Sequence, residues 1–137
     1  WFCKKAIEQK NQKIINKDIE PFTISGTGKQ VRDVLHANDL VNLYEKAFIA
    51  RENLRGEIFN IGGGIGNSLS LLELFSLLSE LLDIDSLLFK KIPRRQSDQD
   101  FFVASIDKAK SMLGWEPRVS FKEGVQEMLD WTSSLIY

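Results

Sequence analysis

Gln30-Val31-Arg32-Asp33-Val34-Leu35-His36-Ala37-Asn38-Asp39-Leu40-Val41 is the stretch from which the architecture can be read. A β-prone run holds an arginine at its centre and passes, at Asn38 or Asp39, into a helix with a carboxylate in its first turn. Val31, Val34 and Leu35 flank the arginine, which predicts a partly buried strand. A guanidinium held in that way suits an anion whose oxygens accept two hydrogen bonds at once, and phosphate is the leading candidate. A pairing of Arg32 with Asp33 or another carboxylate, tying strand to helix, fits the spacing equally well.

On the C-terminal side, Leu40, Val41, Tyr44, Ala47 and Phe48 stand at i, i+1, i+4, i+7 and i+8, predicting an amphipathic helix over 39–50 packed on a sheet. On the N-terminal side, Phe22-Thr23-Ile24-Ser25 reads as a short strand ended by Gly26-Thr27-Gly28, a glycine pair that permits a tight turn or a close approach to a ligand. Residues 1–9 form a helix stub with Phe2, Ala6 and Ile7 apolar, and a polar stretch follows up to Glu20-Pro21.

Farther along, Glu57-Ile58-Phe59-Asn60-Ile61 predicts a strand running into Gly62-Gly63-Gly64-Ile65-Gly66-Asn67. Asn67 occupies the place where G-x-G-x-x-G needs glycine or alanine, so the dinucleotide fingerprint is rejected. A backbone passing close to a ligand or a neighbouring strand, or a plain strand-to-helix loop, remains. Ser70-Leu71-Leu72-Glu73 is a capping box that starts a helix at Leu71. That helix runs to about Leu82, and its very wide apolar surface predicts burial on more than one side.

Residues 87–92 read as a strand stopped by Pro93, and Arg94-Arg95-Gln96-Ser97-Asp98-Gln99 as a polar loop whose adjacent arginines make a second candidate anion site, or simply a solvated charged loop. Beyond Phe101-Phe102-Val103-Ala104, Ser105 is placed to cap a short helix with Asp107 in its first turn and Gly114 closing it. Ser120-Phe121-Lys122-Glu123 is a second capping box. Phe121, Val125, Met128, Leu129 and Thr132 share one face of the last helix, with Trp131 and Leu135 beside it, and the aromatics are expected in the core. Strands alternating with helices predict an α/β fold with a partly parallel sheet.

Composition narrows the function. The chain has 137 residues, 43% hydrophobic and 27% charged, enough apolar material for one core. Eighteen basic and nineteen acidic residues leave a net charge of −1, so nothing global draws the chain to nucleic acid or an anionic membrane. Acidic residues interrupt the richest apolar stretch, so no membrane span is expected. A single cysteine, Cys3, excludes an internal disulfide framework and fits the cytoplasm, and its expected role is that of a small buried hydrophobe. The only histidine, His36, is expected to make a structural hydrogen bond, and no metal site is expected. The start at Trp1-Phe2-Cys3, without Met, reads as a cut into a longer protein.

Three ordered stretches carry a resemblance. Gly26-Thr27-Gly28-Lys29-Gln30-Val31-Arg32-Asp33 comes first. Phe59-Asn60-Ile61-Gly62-Gly63-Gly64 with Asn67-Ser68-Leu69-Ser70-Leu71-Leu72-Glu73-Leu74 comes second, and Arg95-Gln96-Ser97-Asp98-Gln99 followed by Leu113-Gly114-Trp115-Glu116-Pro117 third. Together they resemble the C-terminal part of the extended short-chain dehydrogenase/reductases that act on nucleotide sugars. Residues 67–75, the Ser-Asp-Gln loop and Asp130-Trp131-Thr132-Ser133-Ser134 are most similar to family members that epimerise a CDP-linked sugar.

That resemblance implies that residues 1–137 are the nucleotide-sugar-binding region and that an N-terminal Rossmann domain, absent here, binds NAD and carries a Tyr-x-x-x-Lys pair. Hydride would leave a sugar carbon and return to the other face of a keto intermediate. The expected partner is a nucleotide-diphosphate sugar, CDP-linked, and the intact protein a homo-oligomer. Arg32 and Arg95 are implied to contact the diphosphate, Asp98 to lie near the nucleotide, and the strand from Phe22 to Ser25 to hold the base. Two departures stand out: Ser25 replaces a tyrosine common before the glycine, and Gln96-Ser97 replaces Pro-Gly. No catalytic residue is assigned, since Tyr44 is followed at the fourth place by Phe48 and Tyr137 ends the chain. Related 4-epimerases, dehydratases and decarboxylases, or a non-catalytic binding domain, are the alternatives.

Overall fold

The computed structural model describes residues 1–15 and 17–136, so Tyr137 lies outside the described residues. In chain order its elements are α1 (Phe2–Ile14), β1 (Phe22–Ser25), β2 (Val31–Asp33), α2 (Ala37–Ile49), β3 (Ser68–Ser70), α3 (Leu71–Leu82), β4 (Phe89–Ile92), β5 (Phe101–Phe102), α4 (Asp107–Leu113) and α5 (Phe121–Ile136). Two small sheets form, β1 beside β4 and β3-β2-β5, and the β1–β4 and β2–β5 pairs are parallel. The class is therefore α/β. Two compact units share the chain: one holds Trp1–Gln30, Ser70–Asp100 and the stretch from Lys122 onward, the other Val31–Leu69 and Phe101–Phe121.

In the first unit, Phe22, Ile24, Phe75, Leu78, Leu87 and Leu129 close a core with Cys3, Ala6 and Ile7 of α1. Burial pushes the Cys3 thiol up, which keeps it protonated and inert, as a small core hydrophobe should be. α1 runs well past the predicted stub. Its second half is held by tertiary bonds: the buried Gln9 carboxamide donates to the carbonyls of Glu20 and Leu88 and accepts from the Leu88 amide, each at 2.9 Å. Lys10 Nζ reaches the carbonyl of Leu82 at 2.7 Å, placing a cation on the C-terminal end of α3.

α3 is bounded as expected. Ser70 Oγ accepts from the Glu73 amide at 3.2 Å, and the Glu73 carboxylate accepts from the Ser70 amide at 2.6 Å, completing the capping box. Phe75, Leu77 and Leu78 are buried and the remaining leucines half-buried, so the wide apolar surface is covered within this unit. On α5, by contrast, only Leu129 and Thr132 are buried, while Trp131 and Leu135 are 60% and 65% exposed, against the expectation of an aromatic core residue.

The capping box makes stability depend on pH. The bond with the Ser70 side chain, and then the one from its backbone, hold the Glu73 carboxyl below its ordinary 4.5. A carboxyl lowered by folding contributes stability that is complete above the ordinary value and is lost as pH falls through the lowered one. Melting temperature is thus expected to fall as the medium is acidified below about 4.5. Glu73→Gln should flatten that limb, and Ser70→Ala should cost about 1 kcal/mol at neutral pH. Thermal melts across the acid range check both.

In the second unit, α2 begins one to two residues earlier than expected, at Ala37, because His36 is its N-cap: Nδ1 accepts from the Asn38 amide at 3.3 Å. The core here is Trp115, Leu43 and Ala109, with Leu35, Leu40, Phe59 and Ile106 packed against it. The buried side of α2 therefore runs through Leu40 and Leu43, whereas Val41, Tyr44 and Phe48 are 55%, 65% and 69% exposed. Residues 57–61 make no strand; Phe59 packs inward while Ile58 is 81% exposed, and the segment has no ladder partner among the described residues. Ser105 does not cap α4. Ile106 stands at its N-cap, and the Ser105 hydroxyl donates to Asp107 at 3.2 Å, while Gly114 closes the helix in the left-handed region as expected.

Candidate functional site

Parallel strands leave their carboxyl ends side by side, and ligands of α/β sheets bind in the crevices outside those ends. In the first unit Ser25, the last residue of β1, pairs in register with Ile92, the last of β4. The Gly26-Thr27-Gly28 turn and the Pro93–Asp98 loop leave from the same end. Gly26 and Gly28 have φ of 74° and 79°, which only glycine adopts without strain.

The loop is knitted to the strand end. The Ser25 hydroxyl donates to the Pro93 carbonyl at 3.2 Å and accepts the Arg95 amide at 3.0 Å. The hydroxyl that ends the strand expected to hold the base is thus engaged within the chain. Arg94 is pinned: its guanidinium pairs with Asp100 at 3.0 Å and donates to the carbonyl of Asp98. Arg95 contrasts with it, since its side chain is exposed and among the described residues no carboxylate pairs with its guanidinium. Asp98 is half-buried and accepts from Gln30 Nε2 at 3.3 Å. Phe22 is fully buried, its ring 4.7 Å from Phe75 and 5.5 Å from Trp1. The Phe22 ring therefore supports the strand from within the core of this unit.

Arg32 belongs to the second unit. It sits half-buried at the centre of β2, in register with Phe102 of β5, and its Nη1 donates to the Val31 carbonyl at 2.7 Å. Its neighbour Asp33 is committed to the backbone, accepting from the amides of Gly64 and Ala104 at 3.1 and 3.2 Å. The glycine-rich connection is thereby explained: a Cβ on Gly62 would stand 2.0 Å from the Asp33 carboxylate, and one on Gly63 1.9 Å from the Val34 carbonyl. The backbone passes close to the neighbouring strand β2, and Ile65–Asn67 continue as a single 3-10 turn. That space is filled by the chain itself, so these glycines make no cradle for a dinucleotide. An open groove of about 690 Å³ in this unit, lined by Ile65, Phe101 and Ile106 among others, carries Asp107 and Glu116 against Arg118.

Two residues escaped the sequence reading. Gln30 could have been suspected as a polar residue opening a β-prone run, whose amide must find partners if it is buried. Asp39 was visible only as a first-turn carboxylate. Buried, it accepts the amides of Arg118 and Val119 at 3.1 and 3.0 Å, and its carbonyl accepts Trp115 Nε1 at 2.9 Å.

The family described as GDP-mannose 4,6 dehydratase matches residues 2–128. The chain belongs to this family of NAD-dependent epimerases and dehydratases. This dehydratase-family chain is 57% identical over 135 residues to CDP-paratose 2-epimerase of Salmonella typhi, an alignment that takes in 98% of the chain and 38% of that relative. It is also similar to two solved structures, each at 27% identity and a TM-score of 0.78. UDP-glucose 4-epimerase of Thermotoga maritima with UDP-glucose is matched over 99% of this chain and 39% of its own. UDP-glucuronic acid 4-epimerase of Bacillus cereus, in complex with UDP-glucuronic acid and NAD, is matched over 96% and 40%. The chain thus spans well under half the length of these relatives. Among the described residues no helix is long and apolar enough to cross a membrane.

Proposed function

We propose that this chain is the nucleotide-sugar-binding part of an NAD-dependent epimerase acting on a CDP-linked sugar, the reaction being that of CDP-paratose 2-epimerase. In this reading Arg32 and Arg95 bind the diphosphate and Asp98 lies beside the nucleotide. NAD and the groups that move hydride and proton belong to another part of the intact protein, because the glycines here are packed on their own strand. The product would be the CDP-tyvelose used in lipopolysaccharide O-antigen biosynthesis.

The observation that carries the reading is the sorting of the two adjacent arginines. Arg94 is neutralised by Asp100, while Arg95, beside the paired strand ends, keeps its guanidinium for a ligand. A diphosphate needs more than one cation, and charge-assisted, two-pronged hydrogen bonds are what guanidinium supplies. Identity of 57% to the CDP-paratose enzyme supports cytidine over uridine. Substituting Arg32 or Arg95 by alanine should each weaken CDP binding roughly 10- to 100-fold, the worth of a hydrogen bond to a charged group. Calorimetric titration of the purified chain with CDP and, in parallel, UDP checks this, with exposed Arg51→Ala as control. Unchanged affinity in both variants would remove the arginines from the site.

A further inference from the structure

Gln30 holds the loop that bears Arg95 and Asp98 to the end of strand β1. Its Nε2 donates to the Ser25 carbonyl at 2.8 Å and to the Asp98 carboxylate at 3.3 Å. Both partners are oxygens that only accept, which fixes the orientation of the carboxamide, since the reverse would set Oε1 against two acceptors. The turn is built around this amide. A Cβ on Gly26 would lie 2.8 Å from Gln30 Nε2, so the glycine leaves the space that the carboxamide crosses.

Loop geometry alone does not require such a link. Ser25 already ties the loop at Pro93 and Arg95, and Arg94 ties it at Asp98 and Asp100 through the Asp98 carbonyl and the Asp100 carboxylate. Gln30 adds a bond to the Asp98 carboxylate itself, the carboxylate of the loop assigned to the nucleotide. From this we infer that Gln30 is a positioning residue of the substrate site, aiming the Asp98 carboxylate before the nucleotide arrives. The inference rests on the proposed role of Asp98. Preorganisation of this kind raises affinity by removing an ordering cost at binding.

The test uses the chain as wild type, Gln30→Met, Gln30→Glu, Asp98→Ala and the double variant Gln30→Met/Asp98→Ala. Methionine keeps the length of the side chain and removes both donors, and glutamate turns an acceptor toward the Ser25 carbonyl and the Asp98 carboxylate. CDP affinity is read by calorimetry, and loop order by the rate of tryptic cleavage after Arg94 and Arg95. Gln30→Met is expected to weaken CDP about tenfold, as loss of a hydrogen bond to a charged group does. Gln30→Glu should weaken it further, and both should speed cleavage. In the Asp98→Ala background Gln30→Met should cost nothing more, because it acts through that carboxylate. Undiminished affinity in Gln30→Met, or an equal additional loss in the double variant, would overturn the inference. A wild-type chain that ignores CDP would overturn the nucleotide reading and this inference with it; faster cleavage of Gln30→Met in that case would locate the failure in the ligand and not in the clamp.

Discussion

Gly63→Ala is expected to unfold the second unit, while Gly66→Ala, three residues along the same loop, leaves it intact. The new methyl at position 63 would sit 1.9 Å from the Val34 carbonyl oxygen and 2.7 Å from Asn67 Cβ. Neither can yield cheaply. The Val34 amide donates to the Asn67 carbonyl at 2.9 Å, and Asn67 is buried, its side chain donating to the Val119 carbonyl and accepting the Phe121 amide. Relief would have to come from shifting the backbone that follows β2, so the cost should exceed the ordinary overpacking range and reach at least about 3 kcal/mol. A Cβ on Gly66 meets nothing within 4 Å, and that substitution should be neutral or gain up to about 1 kcal/mol from a less flexible unfolded chain. Denaturant titration followed by circular dichroism separates the two variants. Equal behaviour would mean that the close approach to β2 is not what holds this loop.

Trp115→Ala is expected to cost about 3–5 kcal/mol, the range for removing a large aromatic from a core. Trp115 has no exposed surface and anchors the small cluster with Leu43 and Ala109. Its indole also donates to the Asp39 carbonyl at 2.9 Å, and the Asp39 carboxylate holds the amides of Arg118 and Val119. The substitution therefore empties a cavity and frees the start of α2 from the connection that follows α4. Trp115→Phe keeps one ring in the core but leaves a smaller cavity and loses the N–H donor, so its cost should be near half that of alanine. Hydrogen exchange should show the earliest loss of protection at residues 39–43. A Trp115→Ala chain within 1 kcal/mol of wild type, a margin of about fivefold in the folding equilibrium, would place the core elsewhere.

What could be read from the sequence was whatever is decided within one turn or one strand. The bounds of α3 follow from Ser70 and Glu73, whose reciprocal bonds need nothing beyond four residues. β1 ends where glycine allows a turn, Gly114 stops α4, and Arg32 stands in a strand because the residues around it favour one. Alternation of these elements was enough for the α/β class, and three ordered motifs were enough for the family. Tertiary structure alone decided what each polar group is for. Gln9 reaches Leu88, 79 residues away, and Gln30 reaches Asp98, 68 away, and no local pattern names such partners. The same holds for the two arginines at 94 and 95, alike in sequence, of which one is bound by Asp100 while the other pairs with no carboxylate among the described residues. It holds also for α2, where Leu43 and not Tyr44 turns inward because Trp115 lies on that side. Propensity and capping act over a few bonds along the chain, whereas burial and pairing depend on segments that only folding brings together.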